Sequence, residues 1–202
     1  MNMYNIVILE EQFKMNIYNI EELIFLFFFF SVTGWLGETI MESGVRKHFV
    51  NKGFLKGPYV PVHGVGGFVI YAFCAPLKAN PLLVFFVGSL VCTITEYMAA
   101  ILLEKVFHIK GWDYDTYSFT RHCNYKKRIA LTTSLLFGFF AYGLVYFYWD
   151  FAIYLMNQIS AKQLRYLVLF LAIGFSIDVI LSGIKSVKNR LEDIPIKTIG
   201  LE

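Results

Sequence analysis

The chain has 202 residues, 57% of them apolar and only 16% charged, with a formal net charge of +3 and a mean hydropathy of +0.56. A soluble domain averages about 45–50% apolar and about 25% charged, and a chain this size leaves too much surface to hide the excess. Disorder, a soluble α/β enzyme and a nucleic-acid binder are excluded, the last because the positive charge is too small. The three cysteines, Cys74, Cys92 and Cys123, form no CxxC and no even framework, so neither a disulfide scaffold nor a metal ribbon is expected.

In chain order, five stretches are long and apolar enough to cross a bilayer, which takes about 20 residues. They run over 23–43, 60–78, 82–106, 129–156 and 164–184. The expected fold class is therefore an all-α, polytopic membrane bundle, with residues 1–22 as an extracytoplasmic segment, 23–184 as one transmembrane domain and 185–202 as a cytoplasmic tail. Long continuous runs argue against a β-barrel. The first run follows Glu10, Glu11, Glu21 and Glu22 rather than a basic region, so it does not read as a cleavable signal peptide. Ahead of it, MNMYNI at 1–6 nearly repeats as MNIYNI at 15–20, read as a local duplication or an upstream start. Fourteen of the 18 Lys and Arg fall in the first loop, the third loop and the tail. Basic residues gather on the cytoplasmic side, which places the N-terminus outside and the C-terminus inside a bacterial cytoplasmic membrane.

Carboxylates inside these spans stand out, since each costs about 2.5–3.5 kcal/mol near the bilayer centre. Glu38 and Glu42 lie in the first, Glu96 and Glu104 in the third, Asp178 in the fifth, all toward the cytoplasmic end. Steps of three and four join Glu38 to Ser31, Gly34 and Glu42, Glu96 to Ser89, Cys92, Thr93, Ala100 and Glu104, and Asp178 to Gly174 and Ser182. Small, polar stripes permit close helix approach, and these three are expected to face one another around a polar site open to the cytoplasm. Glu42 and Glu104 also read as solvated interface groups. Glu38, Glu96 and Asp178 read either as structural pairs or as ligands, and each needs a partner or keeps its proton.

The segment NKGFLKGPYVPVHGVGG at 51–67 carries too much Gly and Pro for a regular helix. Gly53, Gly57, Pro58, Pro61, Gly64 and Gly66 are its backbone-shaping residues, and His63 is its one histidine. Irregular backbone at membrane depth survives only when packed in protein or lining a cavity, and broken helices build substrate sites in transporters; a tight interfacial turn is the alternative. The third loop, EKVFHIKGWDYDTYSFTRH at 104–122, has aromatic residues suited to an interface belt (Trp112, Tyr114, Tyr117, Phe119) together with Asp113 and Arg121. It reads as an interfacial anchor or as a lip over the acidic stripe. Lys126, Lys127 and Arg128 read as contacts to anionic lipid heads. The sequence holds no GxxxxGK[ST], no GxSxG and no HExxH, and His108, His122 and Cys123 lack metal-ligand spacing. No metal and no cofactor is expected.

GWLGE at 34–38, NKGFLKGPYVPVHGVG at 51–66, TEY at 95–97, LEKVF at 103–107 and GWDYDTYSF at 111–119 resemble the type IV, CmpB-like family of ABC-transporter permeases, over roughly residues 25–140. Glu38, Gly53, Gly57, Pro58, Pro61, Gly64, Glu96, Glu104, Trp112 and Asp113 match its motifs. The chain departs from them at Lys52, where Arg is usual, at His63, where Tyr is usual, and over 120–131. The resemblance implies a permease-like membrane component that works with a separate ATPase or with itself. The candidate substrate-binding set is Glu38, His63, Glu96, Asp113, Arg121 and Asp178. Two other readings stay open: a membrane enzyme acting on a lipid-like substrate through Glu96 or Glu38, and a non-catalytic assembly protein.

Overall fold

The computed structural model describes residues 18–116 and 118–192, with side chains described as far as Lys188. The near-repeat at 1–20, most of the expected N-terminal segment, Tyr117 and the end of the tail lie outside or largely outside the described residues. Within them the chain is a helical bundle whose one sheet is a two-stranded hairpin.

Helix α1, Ile20–Arg46, opens on a capping box. Asn19 accepts from the Glu22 backbone N–H and Glu22 accepts from that of Asn19, which satisfies two of the orphan donors every helix start exposes. Helix α2, Pro61–Cys74, continues as a 3₁₀ turn over Ala75–Leu77. Helix α3, Pro81–Leu102, starts on an Asn80 cap and ends in a π turn over Leu103–Phe107. A short helix α4, Ser118–Arg121, and the hairpin β1 (Asn124–Tyr125) and β2 (Ile129–Ala130) follow. Helix α5, Leu131–Gly143, runs through a π turn, Leu144–Tyr148, into α6, Trp149–Asn157. Helix α7 spans Ala161–Glu192.

Among the described residues four helices are long and apolar enough to cross a membrane: Ile20–Arg46, Pro81–Phe107, Leu131–Asn157 and Ala161–Lys188. The second expected span, 60–78, is shorter, a 17-residue apolar helix over Pro61–Leu77. The reason is local. Pro61 sits in the first turn of α2, where its missing N–H and fixed φ are tolerated. The ten residues before it, 51–60, stay irregular and consume chain that would otherwise have lengthened the helix.

Helices α1, α2, α3 and α5 pack in succession, and α7 lies against α1. Glycines set the approach distances. A Cβ at Gly88 would strike the Ala141 side chain, and one at Gly138 would meet Phe85 and Ser89, so α3 and α5 touch almost backbone to backbone. The apolar core gathers around Trp149, which is 1% exposed and stacks on Tyr71 with ring centroids 3.6 Å apart. Phe30 stacks on its other side at 5.5 Å. At this end of the bundle the connections are short, and Arg165–Glu21 and Lys78–Asp150 pair across it. The two long loops, 47–60 and 108–130, lie at the opposite end.

Candidate functional site

The first long loop does not leave the bundle. Four residues of α1 at a spacing of four, Ser31, Trp35, Thr39 and Ser43, lie on one face of the helix and each bonds the loop. Val50 N–H donates to Ser43 Oγ at 2.9 Å and Lys52 N–H to Thr39 Oγ1 at 3.4 Å. Trp35 Nε1 donates to Asn51 Oδ1 at 2.6 Å, and Val60 N–H to the Ser31 carbonyl at 3.0 Å. Ser31 is about 15 residues from the end of α1, so the loop descends on the order of 22 Å into the bundle at 1.5 Å per residue. Polar positions of α1 satisfy backbone groups that lipid could not. Gly53 takes φ +101°, which admits glycine readily, and a Cβ at Gly57 would strike the Tyr59 ring.

Asp178 holds this loop from the other side. Its carboxylate accepts from Gly57 N–H (2.7 Å), Lys56 N–H (3.2 Å), Tyr59 Oη (2.8 Å) and Ser182 Oγ (3.0 Å). Burial and the Asp178 carboxylate hold the Tyr59 phenol well above its usual range, so it stays a donor. With four donors on two oxygens, Asp178 has little capacity left for a ligand.

The loop delivers α2 at mid-depth, and α2 delivers His63. The His63 ring lies directly on Gly34, where a Cβ would collide with it. From there His63 Nε2 donates to Glu38 Oε1 at 2.7 Å. Both side chains are about one-third exposed, 33% and 34%, so the pair is reachable from outside the protein core.

The second long loop supplies a partner for Glu96. Tyr114 Oη donates to Glu96 Oε1 at 2.5 Å, while among the described residues Glu96 Oε2 is buried with no hydrogen-bond partner, as is Ser89 Oγ two turns below it. Burial, then the charge of Glu96 and beyond it that of Glu38, pushes the Tyr114 phenol far up. Tyr114 therefore stands within electrostatic reach of both glutamates, and Glu38, His63, Glu96 and Tyr114 form one neighbourhood. Tyr59 and Tyr114 were not singled out as site residues from the sequence. The only signal was their place in loop motifs beside charged residues, where an interfacial aromatic looks the same.

The other candidates go elsewhere. Asp113 pairs with Lys110 and accepts from the Asp115 N–H, and Arg121 Nε donates to the Asp115 carbonyl, so both serve the loop's own structure. Glu42, 4% exposed, is buried rather than solvated and pairs with Arg46 and Lys52. Glu104 pairs with Arg128 at 2.5 Å. The three stripes do not pack on one another along their lengths, although Glu38 and Glu96 come near each other. That of α1 meets the first loop and α2, and that of α3 meets α5 through Gly138 at Ser89 and a Thr93–Ser134 bond of 2.8 Å. Gly64 packs on Ser31 and Phe27, whereas Gly66 and Gly174 face open space. Lys127 bonds Asp115 and Arg128 bonds Glu104, which leaves less charge for lipid heads than the run of three suggests. Among the described residues no group of three His, Cys, Asp or Glu could hold a metal ion.

A helical bundle with four membrane-length helices and a loop that folds back against the first of them defines an integral membrane protein. The chain belongs to the family described as "Putative ABC-transporter type IV", whose model matches residues 25–183. The match extends beyond the stretch in which the motifs are visible and takes in α7 with Asp178. No curated protein and no solved structure matches the chain. It is a membrane protein of an ABC-type transport family.

Proposed function

We propose that this chain is a permease-like component of an ABC-type transport system, resident in the bacterial cytoplasmic membrane and energised by a separate ATPase subunit. The single observation that carries the reading is the descent of loop 51–60 to Ser31, which starts α2 inside the bundle and sets His63 against Glu38. Half-helices that begin at mid-membrane beside irregular backbone are how transporters build solute sites. The solute contacts are Glu38, His63 and Glu96; Asp178 positions the loop, and Asp113 and Arg121 shape the second loop. The N-terminus lies outside and the C-terminus inside, with both long loops on the cytoplasmic side, as the distribution of Lys and Arg favours. No P-loop motif occurs in the sequence, so ATP hydrolysis falls to the partner.

The test is ATP hydrolysis by the full chain purified with its bound partners from its native membrane. A vanadate-sensitive ATPase that co-elutes with the chain, and whose rate changes in Glu38→Gln or Glu96→Gln, supports the reading. A chain purified intact with no associated hydrolysis overturns it.

A second reading, a membrane enzyme on a lipid-like substrate, draws on the same His63–Glu38 bond of 2.7 Å, because a carboxylate-oriented imidazole is a ready general base. It requires a covalently altered lipid that disappears in His63→Gln; unchanged lipids exclude it.

A further inference from the structure

We propose that the strap 109–116 is a lid over the Glu38–Glu96 site, latched by Tyr114 on Glu96 and hinged at the π turn Leu103–Phe107. The proposal rests on the permease reading of that site and names how solute reaches it. The strap is braced as one unit. Ile109 N–H donates to the Leu103 carbonyl, Trp112 Nε1 to the Arg128 carbonyl, Tyr114 N–H to the Lys127 carbonyl and Thr120 Oγ1 to the Tyr114 carbonyl. Its ionic contacts, Lys110–Asp113 and Lys127–Asp115, lie at its partly exposed rim. Exposed pairs of this kind hold weakly. Inward, the strap reaches the intramembrane carboxylates through the Tyr114 phenol.

The hinge has two marks of its own. The last turn of α3 is π-helical, a form concentrated at functional sites. The next residue, His108, takes a left-handed φ of 55° that caps the helix and turns the chain. The closed state also carries a penalty. Among the described residues Glu96 Oε2 is shut away without a donor, and a stranded buried polar atom costs free energy that entering water or a solute donor would return. Closure is thus held by the Tyr114 phenol and by the strap's bonds to the Arg128 and Lys127 carbonyls, and opposed by the unmet oxygen of Glu96. Lids that shut a polar site from water and open to admit ligand are a recurrent transport and enzyme device.

Cys92, one helical turn from Glu96 and partly buried, reports on the lid without disturbing it. With Cys74→Ala and Cys123→Ser in the full chain, Cys92 is the single thiol. Its labelling by a membrane-impermeant cationic methanethiosulfonate is measured in proteoliposomes for the wild-type lid, Tyr114→Phe and Arg128→Gln, with melting temperature recorded alongside. Labelling at least tenfold faster in Tyr114→Phe, at a melting temperature near that of the parent, is the expected result, with a smaller gain for Arg128→Gln, which frees the base of the strap from Glu104. Equal rates in all three overturn the lid. Faster labelling only in step with a lowered melting temperature also overturns it, since general loosening then accounts for the access. The readout needs neither ATPase nor solute, so it fails separately from the permease reading.

Discussion

The phenol of Tyr114 and the carboxylate of Glu96 are 18 residues apart in sequence and 2.5 Å apart in space. The first long loop repeats the arrangement: Tyr59 donates to Asp178 at 2.8 Å. Each loop from the same end of the bundle sends one tyrosine to one intramembrane carboxylate. A phenol suits the task, because it is long, mostly apolar, and supplies a single proton to an acceptor that hydrocarbon would leave bare. The two carboxylates nonetheless differ. Asp178 is saturated by four donors, while Glu96 keeps an oxygen with none among the described residues.

Asp178→Ala strands two backbone N–H groups and two hydroxyls at once. At about 1–3 kcal/mol for each buried donor left unmet, the loss exceeds about 3 kcal/mol and the first loop detaches from α7. Tyr59→Phe removes one bond and costs about 1 kcal/mol. Thermal unfolding in detergent checks the order. A Tyr59→Phe penalty equal to that of Asp178→Ala would show that the backbone donors contribute nothing.

Gly34→Ala places a methyl group where the His63 ring now lies. The ring must move off Glu38 while α1 keeps its helix, since Ala favours helix over Gly by about 1 kcal/mol. The expected outcome is loss of function of the His63–Glu38 pair in a chain that remains folded. Histidine ring resonances read by NMR check it; an unshifted His63 signal would contradict the packing.

How far the residues announce this site depends on what each interaction leaves in the sequence. The spans are plain in long apolar runs, and irregular backbone in the Gly and Pro content of 51–67, although only 51–60 stays irregular and 61–67 opens the second helix. Glu38, His63 and Glu96 are marked by the cost of an ionisable group in hydrocarbon. Their partners are not. Helical period predicts a shared face but not which neighbour that face meets. The α3 stripe turns to α5, because Gly88 and Gly138 let those two backbones close. Asp113 and Arg121 look as polar as Glu38, and their consumption by Lys110 and Asp115 follows only from loop geometry. The second span is legible over 60–78, but hydropathy does not show where in the bundle its helix begins.

Gly88→Ala drives its new methyl into Ala141 and is expected to cost about 1–3 kcal/mol, the usual range for overpacking. Ala141→Gly added to it removes the collision and restores most of the loss. A non-additive double-mutant cycle from denaturation curves checks this. Additive losses would mean that α3 and α5 do not meet there.

The lid contacts fix a pH window. Lys110 beside Asp113 and Lys127 beside Asp115 hold both acids below the usual carboxylate range. A depressed acid contributes stability above its unfolded value, about 3.9, and loses it only as pH falls through the lower folded value. Asp115 raises Lys127, and burial raises Tyr114. A raised group contributes below its unfolded value, about 10 for both types, and loses it as pH climbs through the higher folded one. These rim contacts therefore persist from about pH 4 to about pH 10. The difference in melting temperature between the native chain and Asp115→Asn should be constant between those limits, and a step inside the window would contradict the assignment.

Solute movement through the Glu38–Glu96 site tests the whole account most directly. Membrane vesicles of both orientations, from cells carrying the native chain, Glu96→Gln or Glu38→Gln, are energised with ATP and their contents compared by mass spectrometry. At least one solute whose ATP-dependent accumulation is present with the native chain and lost in both variants is the predicted result. Identical solute profiles in all three preparations, with the chain present at equal levels, would contradict it.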